Sequence, residues 1–271
     1  MTQKKQTADP GQRVRSLKPR LNIRQEIRRL KVNPLLPLLT ELAPREQLPL
    51  VYDDFGRCWE AYELYALSVE RFYRALSLGA RWRNGAYYAR KYRMKYSPNE
   101  RRVADRFRDV RRFLVLDFFN CLIHARILMD RTVGVARYFL PAADRPSLTS
   151  FSDHKRFFLR RKSAYGSFDD YAEYFRAKTD WFDQLKDVRD RILVHQGPRH
   201  WRYFGYPLGG PDLELVIGHP KDQEKVFAQF DVTVVSIRDL ARDVDTFLRW
   251  FAERGIRAHR KAGGLRDSQG S

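Results

Sequence analysis

The chain has 271 residues, 43% of them apolar, 14% aromatic and 31% charged, a globular composition with ample mass for a core. No stretch of eighteen apolar residues exists and the opening MTQKKQTADPGQ has no apolar run, so neither a membrane span nor a secretory signal is expected, and the expected compartment is cytoplasmic. Fifty-two Lys and Arg against 33 Asp and Glu leave a formal charge of +19, which points to a polyanionic partner, nucleic acid above all.

In chain order, residues 1 to about 33 read as a flexible basic arm, with ten basic and two acidic side chains within 1–34. Pro34, Pro37, Pro44 and Pro49 then delay regular structure. One helical domain is expected over 34–255. Its first long helix should start after Gly56. Trp59, Tyr62, Ala66, Val69, Tyr73 and Leu76 recur at spacings of three and four, with Gly79 as the C-cap. The segment 80–96 reads as a long loop or a poorly anchored helix. In it Arg81, Arg83, Arg90, Lys91, Arg93 and Lys95 interleave with Trp82 and four tyrosines, the mix that stacks bases and pairs phosphates. The plainer reading is a solvated edge with tyrosines tucked onto the bundle.

Ser97-Pro98-Asn99-Glu100 has the order of a capping box and opens a second long helix. Val103, Phe107, Val110, Leu114, Phe118 and Cys121 mark one face, and the pattern can run to Leu140 with a bend near Gly134. A loop over 141–167 should hold one short helix near 153–161. Ser167-Phe168-Asp169-Asp170 opens the next stretch and Thr179 can restart it, with Tyr171, Phe175, Phe182, Leu185, Val188 and Ile192 as its stripe and Gly197-Pro198 as its stop. Residues 201–206 and 213–217 around LGGPD read as a β-hairpin, and 232–235 as a third short strand. Ser236 caps the last helix, lined by Ile237, Leu240, Val244, Phe247, Leu248 and Phe251 and stopped at Gly255; residues 256–271 read as a basic disordered tail. The fold class expected is mainly α, an antiparallel helical bundle with a small β-hairpin insertion before the last helix.

Most enzyme templates are missing: there is no P-loop, no GxGxxG, no GxSxG, no HExxH and no CxxC. Cys58 and Cys121 cannot build a disulfide scaffold, and the six histidines lack ligand spacing, so neither a metal nor a cofactor is expected. Asp117, Asn120 and His124 share one face inside an apolar run. They read as a hydrogen-bonded buried network, or as a set that orients an active residue elsewhere. His195 stands just before Gln196-Gly197-Pro198. On a helical wheel Arg189 and His195 flank the apolar stripe on opposite sides, roughly 120° apart, so a groove against a second copy of the helix would collect both. A helix C-terminus also stabilises the imidazolium, which suits proton transfer near neutral pH.

Arg189-Asp190-x4-His195 resembles the Rx4–6H motif of the HEPN superfamily, and the resemblance covers about 56–255. It implies a helical bundle whose motif pairs across a homodimer to form a metal-independent ribonuclease site. His195 would be the general base or acid, Arg189 would hold the phosphate and Asp190 would orient them; imidazole and guanidinium are sufficient for RNA cleavage. Arg191, an i,i+4 neighbour of His195, competes for the arginine role. The resemblance implies a toxin or defence effector, with a cognate antitoxin or regulator as partner, in a homodimer that buries the Ile192 side of the motif helix. Its alternative is a non-catalytic HEPN-like module that binds RNA or protein. From another class comes an unrelated helical nucleic-acid-binding protein, in which Arg189 and His195 merely cap carbonyls.

Overall fold

A computed structural model of the chain describes residues 22–42, 48–91, 98–139, 150–160, 169–188, 202–205, 215–218 and 236–267. The protein is mainly α. Its helices are α1 (Ile23–Leu30), α2 (Leu36–Leu42), α3 (Leu48–Lys91), α4 (Pro98–Ala136), α5 (Phe151–Arg160), α6 (Asp169–Lys178), α7 (Asp180–Val188) and α8 (Ile237–Asp267). Two four-residue strands, β1 (Arg202–Gly205) and β2 (Leu215–Gly218), pair antiparallel with Arg202 opposite Gly218 and Gly205 opposite Leu215. Residues 206–214, 219–235 and the third strand expected at 232–235 lie outside the described residues.

The frame is the pair α3 and α4, 44 and 39 residues long, which run antiparallel along each other. Of the stripe expected on α3, Tyr62, Val69, Tyr73 and Leu76 are buried, and Trp59 and Ala66 are half-buried. On α4 Leu114, Phe118 and Cys121 are buried, as expected, and Leu122, Ala125, Leu128 and Met129 continue that face. The side chains of Val103, Phe107 and Val110 lie outside the described residues.

The glycine readings need correction. Helix α3 passes through Gly56 and Gly79 and includes 80–91, so the helical alternative holds for that part of the basic segment. A mid-helix glycine costs only about 1 kcal/mol, which packing along a long partner helix readily offsets. Helix α8 likewise runs through Gly255 to Asp267, so 256–267 are helical where a disordered tail was expected. Gly255 is there for close packing: a Cβ would stand 2.8 Å from Leu38 Cδ1 and 3.0 Å from Phe139 Cε1. At Gly134 it would meet Asp54 Oδ1 at 2.9 Å, the end of a half-buried side chain that can swing aside. Gly255→Ala is therefore expected to destabilise by about 1 kcal/mol, overpacking outweighing the gain in helix propensity. Gly134→Ala should be neutral or slightly stabilising. Urea midpoints of the two variants check the contrast.

The expected basic arm also changes extent. Residues 22–33 are built into the fold, and 1–21 lie outside the described residues. The Asn22 side chain accepts from the Gln25 amide and caps α1. Tyr62 Oη donates to the carbonyls of Leu30 and Val32, at 3.1 and 3.0 Å, which ties the end of α1 to α3. Ile23, Ile27 and Leu30 pack on the core from the same side.

A second part of the core is aromatic. Phe151 of α5 lies 4.4 Å from Phe182 of α7 and 5.2 Å from Phe247 of α8 (ring centroids), and Tyr174 of α6 stacks on Trp250 at 3.8 Å. Ser150 caps α5 and Ser236 caps α8, each accepting from the amide three residues on. His154 is buried in this cluster, 5.1 Å from the Phe175 ring, and burial pushes its pKa from the ordinary 6.5 down to about 3.

Between those two values the unfolded chain binds one proton more than the folded chain at this residue, so acid favours unfolding. Stability should fall by about 1.4 kcal/mol per pH unit through this window from His154 alone. His154→Phe, which keeps a ring against Phe175, should remove that part of the slope in urea titrations between pH 6 and 4. Asp117 and Asp243, raised by burial, act in the opposite sense. They are common to both proteins and cancel in the difference.

Candidate functional site

The described residues bring the three polar positions of α4 against two of α3. Antiparallel pairing sets Ser68 opposite His124 and Arg71 opposite Asp117. Ser68 Oγ stands 2.6 Å from His124 Nδ1 and 2.8 Å from the Leu64 carbonyl. A carbonyl can only accept, so the serine proton goes to Leu64 and its oxygen accepts from Nδ1–H of His124. That assignment leaves Nε2 as the unprotonated nitrogen. Burial lowers the His124 pKa, which keeps the ring neutral around pH 7.

Arg71 reaches Asp117 Oδ1 at 3.1 Å, the arginine half exposed and the aspartate buried. Burial raises the Asp117 pKa; the Arg71 charge and a hydrogen bond from the Asn120 amide pull it back down. The seam thus holds a neutral imidazole, a guanidinium and a carboxylate within two turns of each helix. The three positions fall into two separate sets, Ser68–His124 and Arg71–Asp117–Asn120, with Asn120 and His124 half-buried, and among the described residues no bond joins one set to the other. Ser68 and Arg71 are their α3 partners, and no reading of the sequence singled them out. The available signal was a serine and an arginine three residues apart on the α3 edge beside its apolar stripe.

Arg189, Asp190, Arg191 and His195 lie outside the described residues, as do Arg93 and Lys95. Arg81, Trp82, Arg83, Arg90 and Lys91 belong to the last turns of α3, their side chains outside the description. Helix α7 is described as far as Val188, the residue before Arg189 in the sequence. Phe182 and Leu185, two members of the expected stripe, are buried there. Buried Lys155 of α5 donates to the Thr179 carbonyl at 3.0 Å and to Asp183 Oδ2 at 2.6 Å, which clamps the start of α7. The Arg126 guanidinium lies 4.5 Å over the Phe182 ring and bonds Asp130 and Ser152. Sequence reasoning missed this clamp, because a lysine and an arginine inside amphipathic helices look like surface charges.

Among the described residues no cluster of His, Cys, Asp and Glu could hold a metal ion, and no helix is long and apolar enough to cross a membrane. The chain matches no protein-family model, no curated protein and no solved structure.

Proposed function

We propose that the protein is a HEPN-like, metal-independent endoribonuclease that works as a homodimer with a composite Arg189/His195 site, in the role of a toxin or defence effector. The observation that carries the reading is the sequence Arg189-Asp190-x4-His195 directly after the amphipathic helix α7, in a mainly helical chain. The charge agrees with an RNA substrate: residues 81–112 hold twelve basic and three acidic side chains, at the end of the long helix pair where α3 finishes and α4 begins.

The chemistry needs a proton taken from the 2′-hydroxyl, charge stabilised at phosphorus and a proton returned to the leaving oxygen. His195 and Arg189 supply these functions, with Asp190 orienting them. The Ser68–His124 pair and the Arg71–Asp117–Asn120 set are structural supports in this reading.

The test is cleavage of RNA by the purified full chain in the presence of EDTA. Cleavage should persist and leave 2′,3′-cyclic phosphate ends, since the attacking oxygen is the substrate's own. RNA that is bound in a salt-dependent manner but stays intact across a pH series would favour the other reading, a non-catalytic HEPN-like RNA- or protein-binding module.

A further inference from the structure

Helix α4 carries two apolar stripes, and only one faces the core. On the other side Phe113, Leu116, Ile123 and Ile127 are 56, 51, 36 and 39% exposed, with half-buried Asn120 between them. Their spacing with Asn120 is three, four, three and four, the seam pattern of one helix lying along another. Leu64 and Leu67 of α3 are exposed as well. The Ser68–His124 pairing sets them beside the Ile123 and Ile127 half of the stripe. At roughly 200 Å² for a fully exposed large side chain, these six present on the order of 500 Å². That is the upper end of what a monomer leaves bare, and it suits the apolar centre of a dimer patch of about 800 Å².

The order of residues selects the partner. Outward from Asn120, Leu116 and Ile123 come four and three residues away, Phe113 and Ile127 seven each way, and exposed Asp109 and Arg131 eleven each way. A stripe that reads alike in both directions fits a copy of itself running antiparallel, because a two-fold axis lays each residue against its mirror position. On that axis Phe113 falls on Ile127 of the second copy, and Asp109 on Arg131 of the second copy, opposite charge on opposite charge. Asn120 meets itself. Its amide can give one hydrogen to Asp117 and still pair with the amide of the copy, which satisfies a polar group in an apolar seam and fixes the register. An unrelated partner would need none of this symmetry.

We propose that two copies of the chain pair through this face of α3 and α4, with α4 antiparallel to α4 about a two-fold axis at Asn120. The pairing uses no part of the 189–195 motif and goes beyond the ribonuclease reading. It is a second contact between copies, separate from the motif contact of the composite Arg189/His195 site on the Ile192 side, so the two contacts together join more than two copies.

Two measurements on the full chain test it. Cys58 and Cys121 are buried, so a new surface thiol can be oxidised with little background. Asn120→Cys should give a disulfide-linked dimer on mild oxidation. Asp109→Cys should give none, since its two copies would lie 22 residues, about 33 Å, apart along the helices. No link at position 120, or a link at 109, overturns the antiparallel pairing.

The second measurement is sedimentation at micromolar concentration. The wild type should be a dimer or a larger assembly. Asp109→Arg and Arg131→Asp should each weaken it by about tenfold, and the two together should restore it. Within one chain these residues are the same 33 Å apart, so only contact between copies can produce the rescue. A monomeric wild type, or a double variant no better than the singles, overturns the proposal.

Discussion

His195→Ala is expected to lower RNA cleavage by about 10³-fold or more, and Arg189→Ala by a comparable factor. The reason is their division of labour in one transition state: the imidazole moves the proton while the guanidinium holds the charge growing on phosphorus. Residues that act on one transition state are not additive, so the double variant should be little worse than either single. Arg191→Ala is the internal control, because it removes the arginine that shares a helical face with His195. If Arg191→Ala inactivates and Arg189→Ala does not, the arginine role belongs to Arg191. Arg189 and His195 flank the expected stripe and do not fill it, so melting should shift only modestly in either variant. Cleavage that persists in His195→Ala places the active site elsewhere, and the seam of His124, Arg71 and Asp117 is then the next set to test.

Phe247→Ala is expected to cost about 3–5 kcal/mol, the largest stability loss of any single change considered. Its ring centroid lies 5.2 Å from Phe151, 5.7 Å from Phe251, 6.1 Å from Phe175 and 6.0 Å from Trp250, so truncation opens a hole where α5, α6 and α8 meet. Aromatic rings on three separate helices cannot all collapse into the same void. In a chain of this size the loss should lower Tm by about 10 °C, measurable by calorimetry. Because the same cluster holds Phe182 of α7, the variant should also loosen α7. A Tm within a degree or two of the wild type would mean that the cluster relaxes and does not bear on stability as argued.

Much of this architecture was legible locally. The run of Ile237, Leu240, Val244, Phe247, Leu248 and Phe251 is buried along α8 as its period implies, and Ser236 caps that helix. Thr179 interrupts α6 and α7 where a restart was expected; its hydroxyl donates back to the Phe175 carbonyl while its own carbonyl accepts from the Phe182 amide. The candidate catalytic residues were legible only as a motif.

What the sequence by itself determined is therefore periodicity and caps, since each depends on neighbours within four residues. The tertiary structure decided three other things. Gly255 is a packing site and not a stop, because Leu38 and Phe139, more than a hundred residues away in the chain, press on it. Residues 22–33 are part of the fold, because the Tyr62 hydroxyl holds the carbonyls of Leu30 and Val32. And α4, apolar on two sides, has an inside and an outside: only packing against α3 and the other helices turns Phe118 and Leu122 inward and leaves Phe113 and Leu116 to water. A helix that is apolar on both sides cannot name its buried face from its own sequence, because burial belongs to the elements around it.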